Sequence, residues 1–223
     1  MTIFLFFMLG ASFGSFIGLL VDRFPEKSII YPQSHCDSCG QCLQVRDLIP
    51  IFSQLINRSA CRFCGVSIPK SYAIIEIALG LTFILYGLDY LNLAQLLALM
   101  LSLTLSLYDI KDQSFPVIIW LLATALLLTL SGIKTLALIL FLLGIIAELF
   151  DIGIGSGDFF YLSSLALILN WQSLLWIIQL ASLLGILACL LHKNKRIPFV
   201  PYLSLAYLVV QTVLIMTDLQ IFP

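Results

Sequence analysis

Charge is the scarcest property of this sequence. Of 223 residues, 10% are Asp, Glu, Lys or Arg and 61% are hydrophobic, with a mean hydropathy of +1.09. A soluble domain is about half apolar and about a quarter charged. One soluble core cannot hide this apolar excess, so the composition leaves a polytopic membrane protein. An excess of basic charge is also missing. The net charge is −1, which removes any electrostatic case for binding nucleic acid. A third absence lies at the start of the chain. The stretch from Met1 to Leu20 has no basic leading region and no small-x-small cleavage site before Arg23. It is therefore expected to be a retained helix rather than a cleaved signal.

What is present is a series of apolar runs, at 2–21, 71–91, 92–109, 115–132, 134–150, 158–171, 173–191 and 199–217. Most reach roughly the twenty residues that cross ~30 Å of hydrocarbon. Backbone groups find no water partner there, so the runs must be helices. The expected fold is all-α, with about eight transmembrane helices. Residues 158–171 are short, reaching only ~20 Å at ~1.5 Å per residue. They either re-enter the membrane or borrow length from the glycines before them.

Basic residues set the orientation. With eight crossings and residues 22–70 in the cytoplasm, the inner segments hold Arg23, Lys27, Arg46, Arg58, Arg62, Lys70, Lys111, Lys193, Lys195 and Arg196. The outer side holds Lys134 alone. Basic residues collect on the cytoplasmic side of membrane proteins, so both termini are expected outside. The same count favours a crossing by the short sixth run, which otherwise would place Lys193–Arg196 outside. The chain then reads as a first helix (1–21), a cytoplasmic loop domain (22–70) and a membrane-embedded domain (71–223).

Two aspartates stand at the edges of apolar runs. Tyr108-Asp109 ends the third, and Gly153-Ile154-Gly155-Ser156-Gly157-Asp158 leads into the sixth. A carboxylate beside hydrocarbon is costly and marks a functional site. Under the topology above both lie at the inner face, at one depth, as a shared site requires. Two carboxyls a few Å apart do not both ionise easily, so one keeps its proton. The ionised one takes a proton from water while the neutral one donates to a carbonyl oxygen. The pair reads as the water-activating dyad of a membrane aspartyl protease. The glycines clear side chains from the approach to Asp158 and allow backbone angles that other residues resist. They also fit a simple loosening of the link between helices. Asp112 is the rival of Asp109, and Phe115-Pro116 places it in the turn before the next helix. Asp151 is a candidate cap for the turn before Gly153.

The polar segment 22–70 carries Cys36-Asp37-Ser38-Cys39 and Cys61-Arg62-Phe63-Cys64. Two C-x-x-C knuckles about twenty residues apart have the spacing of a structural zinc ribbon. Four thiolates on one ion would fold a loop too small for its own core. Disulfides are the alternative, and a reducing cytoplasm disfavours them. Cys42 and His35 are neighbours of the set, and Cys189 sits in an apolar run as packing.

These residues resemble the type IV prepilin leader peptidases, which are GxGD membrane aspartyl proteases. The likeness runs in order through Gly14-Ser15-Phe16, Asp22-Arg23-Phe24-Pro25, Ser34-His35-Cys36 with the two knuckles, Asp47-Leu48-Ile49-Pro50 and Tyr72-Ala73-Ile74-Ile75-Glu76. It continues through Asp109 with Phe115-Pro116, Gly155-x-Gly157-Asp158, and Arg196-Ile197-Pro198-Phe199-x-Pro201. The Tyr-Asp and Gly-x-Gly-Asp motifs alone are also similar to those of presenilin-type proteases.

The resemblance implies cleavage of a short basic leader from prepilins, or from pilin-like proteins of secretion and DNA-uptake machines. The place implied is the cytoplasmic face of the bacterial inner membrane. Asp109 and Asp158 take the positions of the catalytic aspartates. Glu76, Gly155 and Gly157 fall among the substrate-facing positions, with Glu76 or Glu148 placed to hold the leader's basic residues or the pilin's new amine. Larger members also N-methylate the new amino terminus with S-adenosylmethionine, a role tied to the cysteine-bearing loop. The compact length resembles versions from competence systems of low-GC Gram-positive bacteria. The chain departs from the family pattern at Gly18 (often Asn), Phe160 (usually Lys) and Val200 (commonly Gly). The first two bear on methyl transfer and leader contact rather than on hydrolysis. Two other readings use the same residues: a non-enzymatic zinc-bearing scaffold in a pilus or uptake assembly, and a small transporter with a proton site at the aspartates.

Overall fold

The computed structural model describes residues 1–150, 155–191 and 197–221, with side chains to Thr217. Asp151, Gly153 and the Lys193–Arg196 cluster, each singled out above, lie outside the described residues. The fold is all-helical, and each apolar run of the sequence coincides with a helix. These are α1 (Thr2–Arg23), α3 (Ser71–Gly87), α4 (Leu93–Asp112), α5 (Val117–Ser131), α6 (Thr135–Phe150), α7 (Ser156–Ile168), α8 (Trp171–Leu191) and α9 (Val200–Ile221). The short helix α2 (Phe52–Ile56) lies in the polar loop.

Four of them, α1, α4, α8 and α9, are long and apolar enough to cross a membrane. The helices α3, α5, α6 and α7 have 17, 15, 16 and 13 residues. At ~1.5 Å per residue these reach only ~20–26 Å. The outer faces of α3, α5 and α6 still carry large exposed apolar residues, among them Leu81, Leu121, Leu122, Leu138 and Leu142.

The chain divides into two compact units, Met1–Leu91 and Asn92–Pro223. The polar loop ends near residue 70, but α3 belongs to the first unit because it packs along α1. The sequence allows that contact through small residues. A Cβ at Gly10 would lie 2.4 Å from the Leu79 carbonyl oxygen, and one at Gly14 would lie 2.7 Å from the Glu76 Cα. Glycines four residues apart thus let the two backbones touch, as small residues do between membrane helices.

The second unit starts at a capping box. The Asn92 side chain accepts from the Gln95 N–H, and the Gln95 side chain accepts from the Asn92 N–H, both at 2.9 Å. Within this unit α4 packs on α5, α7 and α9, α6 packs on α7, and α8 packs on α9. The core is built around α7, where Tyr161, Leu165 and Ala166 are fully buried. Trp120 of α5 clamps it by donating to Ser164 Oγ at 2.8 Å.

Candidate active site and cysteine cluster

Asp109 lies in the last turn of α4, at the helix end that disfavours negative charge. It therefore needs donors from elsewhere. The Val200 N–H, at the start of α9, donates to Asp109 Oδ2 at 3.0 Å, and the Phe199 backbone faces the same carboxylate. Asp158 occupies the first turn of α7, where the helix dipole favours a carboxylate. Both side chains are part-buried. Asp158 lies within electrostatic reach of Asp109, and α4 packs on α7. Asp112 ends α4 and is exposed.

The two glycines differ. A Cβ on Gly157 would meet the Phe115 ring at 2.7 Å, so this position is fixed by packing of the Phe115 side chain. Gly155 is exposed, and a Cβ there would lie 3.4 Å from Asp158 Oδ2. Between them, Ser156 Oγ donates to Glu148 Oε2 at 2.5 Å, tying the start of α7 to α6. Glu148 thus makes a hydrogen bond between helices. Phe160, one of the departures, sits among Phe115, Trp120 and Phe141, with ring centroids 6.0, 5.0 and 5.8 Å away. An aromatic cluster thus occupies the place where a lysine would bring charge.

Glu76 belongs to the first unit and is buried at 5% exposure. Its carboxylate accepts the Ile51 N–H at 2.6 Å, with the Ser15 side chain alongside. It therefore holds the loop onto the α1–α3 pair. Asp47, part of the family likeness but given no role from the sequence, is the hub of that loop. It accepts from Arg62 at 3.2 Å, from the Gln44 N–H at 3.1 Å and from Asn57 at 3.4 Å.

The two knuckles repeat one geometry. The Gly40 and Gly65 N–H groups donate to the Cys36 and Cys61 carbonyls, both at 2.8 Å. The Cys36 and Cys61 N–H groups donate to the Gln41 and Val66 carbonyls at 3.0 and 2.8 Å. Gly40 and Gly65 have φ of +66° and +75°, angles that favour glycine. The turns gather Cys36, Cys39, Cys61 and Cys64 as free thiols with every sulfur within 4.8 Å of the others. Cys36 and Cys64 Sγ are 3.7 Å apart. Tetrahedral zinc with ~2.3 Å bonds to sulfur needs sulfurs ~3.8 Å apart. The donor set fits that ion.

The electrostatics of the set agree. Backbone hydrogen bonds from Cys64 and Phe63 lower the Cys61 thiol to about 7. Cys64 goes the other way, to about 12. The Val66 N–H favours its thiolate, but desolvation and the sulfurs of Cys61, Cys36 and Cys39 outweigh it. Crowded thiolates repel, and a divalent cation removes that repulsion. Cys42 stands outside the set, in a bridge with His35, whose ring is bonded to the Gln33 carbonyl.

Comparison with known proteins adds to this geometry. The family model described as Bacterial Peptidase A24 N-terminal domain matches residues 8–90, which span the first unit. A prepilin leader peptidase/N-methyltransferase of Aeromonas hydrophila is 30% identical over 208 residues, covering 82% of this chain and 72% of that protein. The chain belongs to the prepilin leader peptidase family. Another member, from Dickeya chrysanthemi, is 27% identical over 84% of this chain and 81% of its own length. The member from Myxococcus xanthus is 29% identical over 80% of this chain, which spans only 59% of that longer protein. No solved structure matches the chain. Members of this peptidase family are enzymes, and both aspartates of the present chain fall in its second unit, beyond the matched N-terminal domain.

Proposed function

We propose that the chain is an aspartyl endopeptidase of the bacterial inner membrane that removes the basic leader from prepilins or pilin-like proteins at the cytoplasmic face. The observation that supports the proposal is that Asp158, in the first turn of α7, lies within electrostatic reach of Asp109, in the last turn of α4, in a chain of this family. Asp109 and Asp158 together hold one proton. The ionised carboxyl removes a proton from the attacking water, and the neutral one donates to the scissile carbonyl oxygen. The Val200 N–H, with the Phe199 backbone beside it, would fix the Asp109 carboxylate for this work.

The leader is basic and cytoplasmic, while the pilin helix that follows it lies in the bilayer. A dyad level with the inner headgroups meets the bond between them. The ten-to-one distribution of Lys and Arg supports eight crossings with residues 22–70 inside. Cys36, Cys39, Cys61 and Cys64 would hold a structural zinc ion that folds the loop, with Asp47 and Glu76 fixing the loop around it. The relatives' names include N-methyltransferase activity. Methylation with S-adenosylmethionine, a competence-type substrate and contact of Glu76, Gly155 and Gly157 with the leader are finer parts of the same reading.

Co-expression with a candidate prepilin, followed by N-terminal sequencing and mass measurement of the product, tests cleavage, site and methylation together. Leader removal by the unsubstituted chain and none by D109N or D158N is the expected result. An intact prepilin beside abundant unsubstituted enzyme, across class III-type pilins as well, would remove the proposal.

A further inference from the structure

The second unit gathers a cluster of hydroxyl groups from the helices that carry Asp109, Asp158 and Val200. On α4, Ser102 and Ser106 precede Asp109 by seven and three residues. On α7, Tyr161 follows Asp158 by three. On α9, Ser204 follows Val200 by four. Each helix thus places one of these hydroxyls about one turn from Asp109, Asp158 or Val200. The hydroxyls are joined. Tyr161 Oη donates to Ser102 Oγ at 2.6 Å and lies 3.3 Å from Ser204 Oγ. Ser106 Oγ donates to Ser204 Oγ at 2.7 Å.

Beyond this network α9 continues with Tyr207 and Gln211, spaced three and four residues on, hence on the same face. Tyr207 is 0% exposed and Gln211 2%. Tyr207 lies within electrostatic reach of Tyr161. Among the described residues neither Tyr207 Oη nor Gln211 Oε1 has a hydrogen-bond partner. A buried polar atom left without one costs about 1–3 kcal/mol. Phenylalanine and leucine would avoid that cost here. Two such atoms on one helix face, next to a satisfied hydroxyl network, mark a site for a small ligand that both donates and accepts. Buried water has that chemistry, and it commonly makes about three such bonds.

We propose that Tyr207 and Gln211 hold water inside the bundle, and that the network of Ser102, Ser106, Tyr161 and Ser204 connects it to the dyad. Tyr207 and Gln211 are then positioning residues for the water that hydrolysis consumes. The hydroxyl of that water ends on the carbonyl carbon, the C–N bond breaks, and the remaining proton goes to the leaving nitrogen. This use of the water rests on the dyad reading above, while the site itself does not.

X-ray radiolytic footprinting of the full chain in detergent micelles tests the site, because hydroxyl radicals made from bound water label the side chains that touch it. Tyr207 is expected to be labelled at a rate comparable to exposed Tyr31, and Q211L to lower Tyr207 labelling several-fold with Tyr31 unchanged. An unlabelled Tyr207 in the folded protein overturns the site. For positioning, Y207F and Q211L are expected to lower kcat for a membrane-embedded prepilin about tenfold with KM unchanged, as loss of orientation does. Unsubstituted rates in both variants overturn the positioning role. Footprinting of the unsubstituted protein stands even if the variants fold poorly. Full cleavage by D109N and D158N would defeat the dyad reading and leave the labelling result to decide the water site by itself.

Discussion

The backbone N–H of Val200 donates to Asp109 Oδ2 at 3.0 Å, joining the start of α9 to the end of α4. Because the donor is backbone, most substitutions at residue 200 leave it in place. The family's common glycine and the valine of this chain serve it equally. Proline does not. Proline is tolerated at the first position of a helix, so V200P removes the donor without breaking α9. A hydrogen bond to a charged group is worth about 1.5–3 kcal/mol, so kcat/KM for prepilin should fall about tenfold to a hundredfold. Kinetics on V200P, with helicity checked by circular dichroism, measure it.

Gly157 is fixed by the Phe115 ring, which a Cβ would meet at 2.7 Å. G157A should therefore cost about 1–3 kcal/mol through overpacking. Shortening the ring with F115L in the same chain should recover part of that loss. A thermal shift series on the two single variants and the double variant checks the coupling.

The cysteine cluster should bind one zinc per chain. C36A and C61A should lose the metal and lower the amount of folded protein, whereas C42A should change neither, because Cys42 lies outside the four-sulfur set. Metal analysis of the purified variants is the readout. Retention should weaken as pH falls, since each ligand binds as a thiolate and protons compete with the ion.

Glu76 holds the loop through the Ile51 N–H at 2.6 Å. E76A leaves that N–H without its acceptor, a loss of about 1–3 kcal/mol, while E76Q keeps an acceptor oxygen. Limited proteolysis between residues 45 and 60 should accelerate in E76A and change little in E76Q. A leader-binding role would show separately, as a raised KM in E76Q with the loop still protected.

Helix positions were legible because apolar length is written directly in the chain. All eight apolar runs became helices, with ends displaced by a few residues where caps such as Asn92 and Gln95 set the boundary. The number that crosses was less legible, because α3, α5, α6 and α7 are too short for length alone to decide. The cysteine cluster followed from spacing, since a C-x-x-C turn closes locally and leaves little choice of geometry. The partners of Asp109 did not follow. A backbone donor ninety-one residues away carries no side-chain signature. Asp47 read as an ordinary carboxylate, and Glu148 as a candidate to hold the leader or the new amine, for the same reason: what they hold is decided by tertiary contact. The serines and tyrosines of α4, α7 and α9 did carry a signal, a recurrence at three and four residues from Asp109, Asp158 and Val200, but it has meaning only once three separate helices are placed together.

The central claim is that Asp109 and Asp158 perform the hydrolysis. Asparagine keeps the shape of each side chain, and in D109N it keeps an oxygen to accept the Val200 N–H, so folding should be spared. Prepilin cleavage should fall by about a thousandfold or more in either variant, as when one member of a catalytic unit is lost. The decisive measurement is single-turnover cleavage of membrane-embedded prepilin by D109N and D158N at matched protein levels. Near-complete loss in both is the predicted result, and unsubstituted cleavage by either one would contradict it.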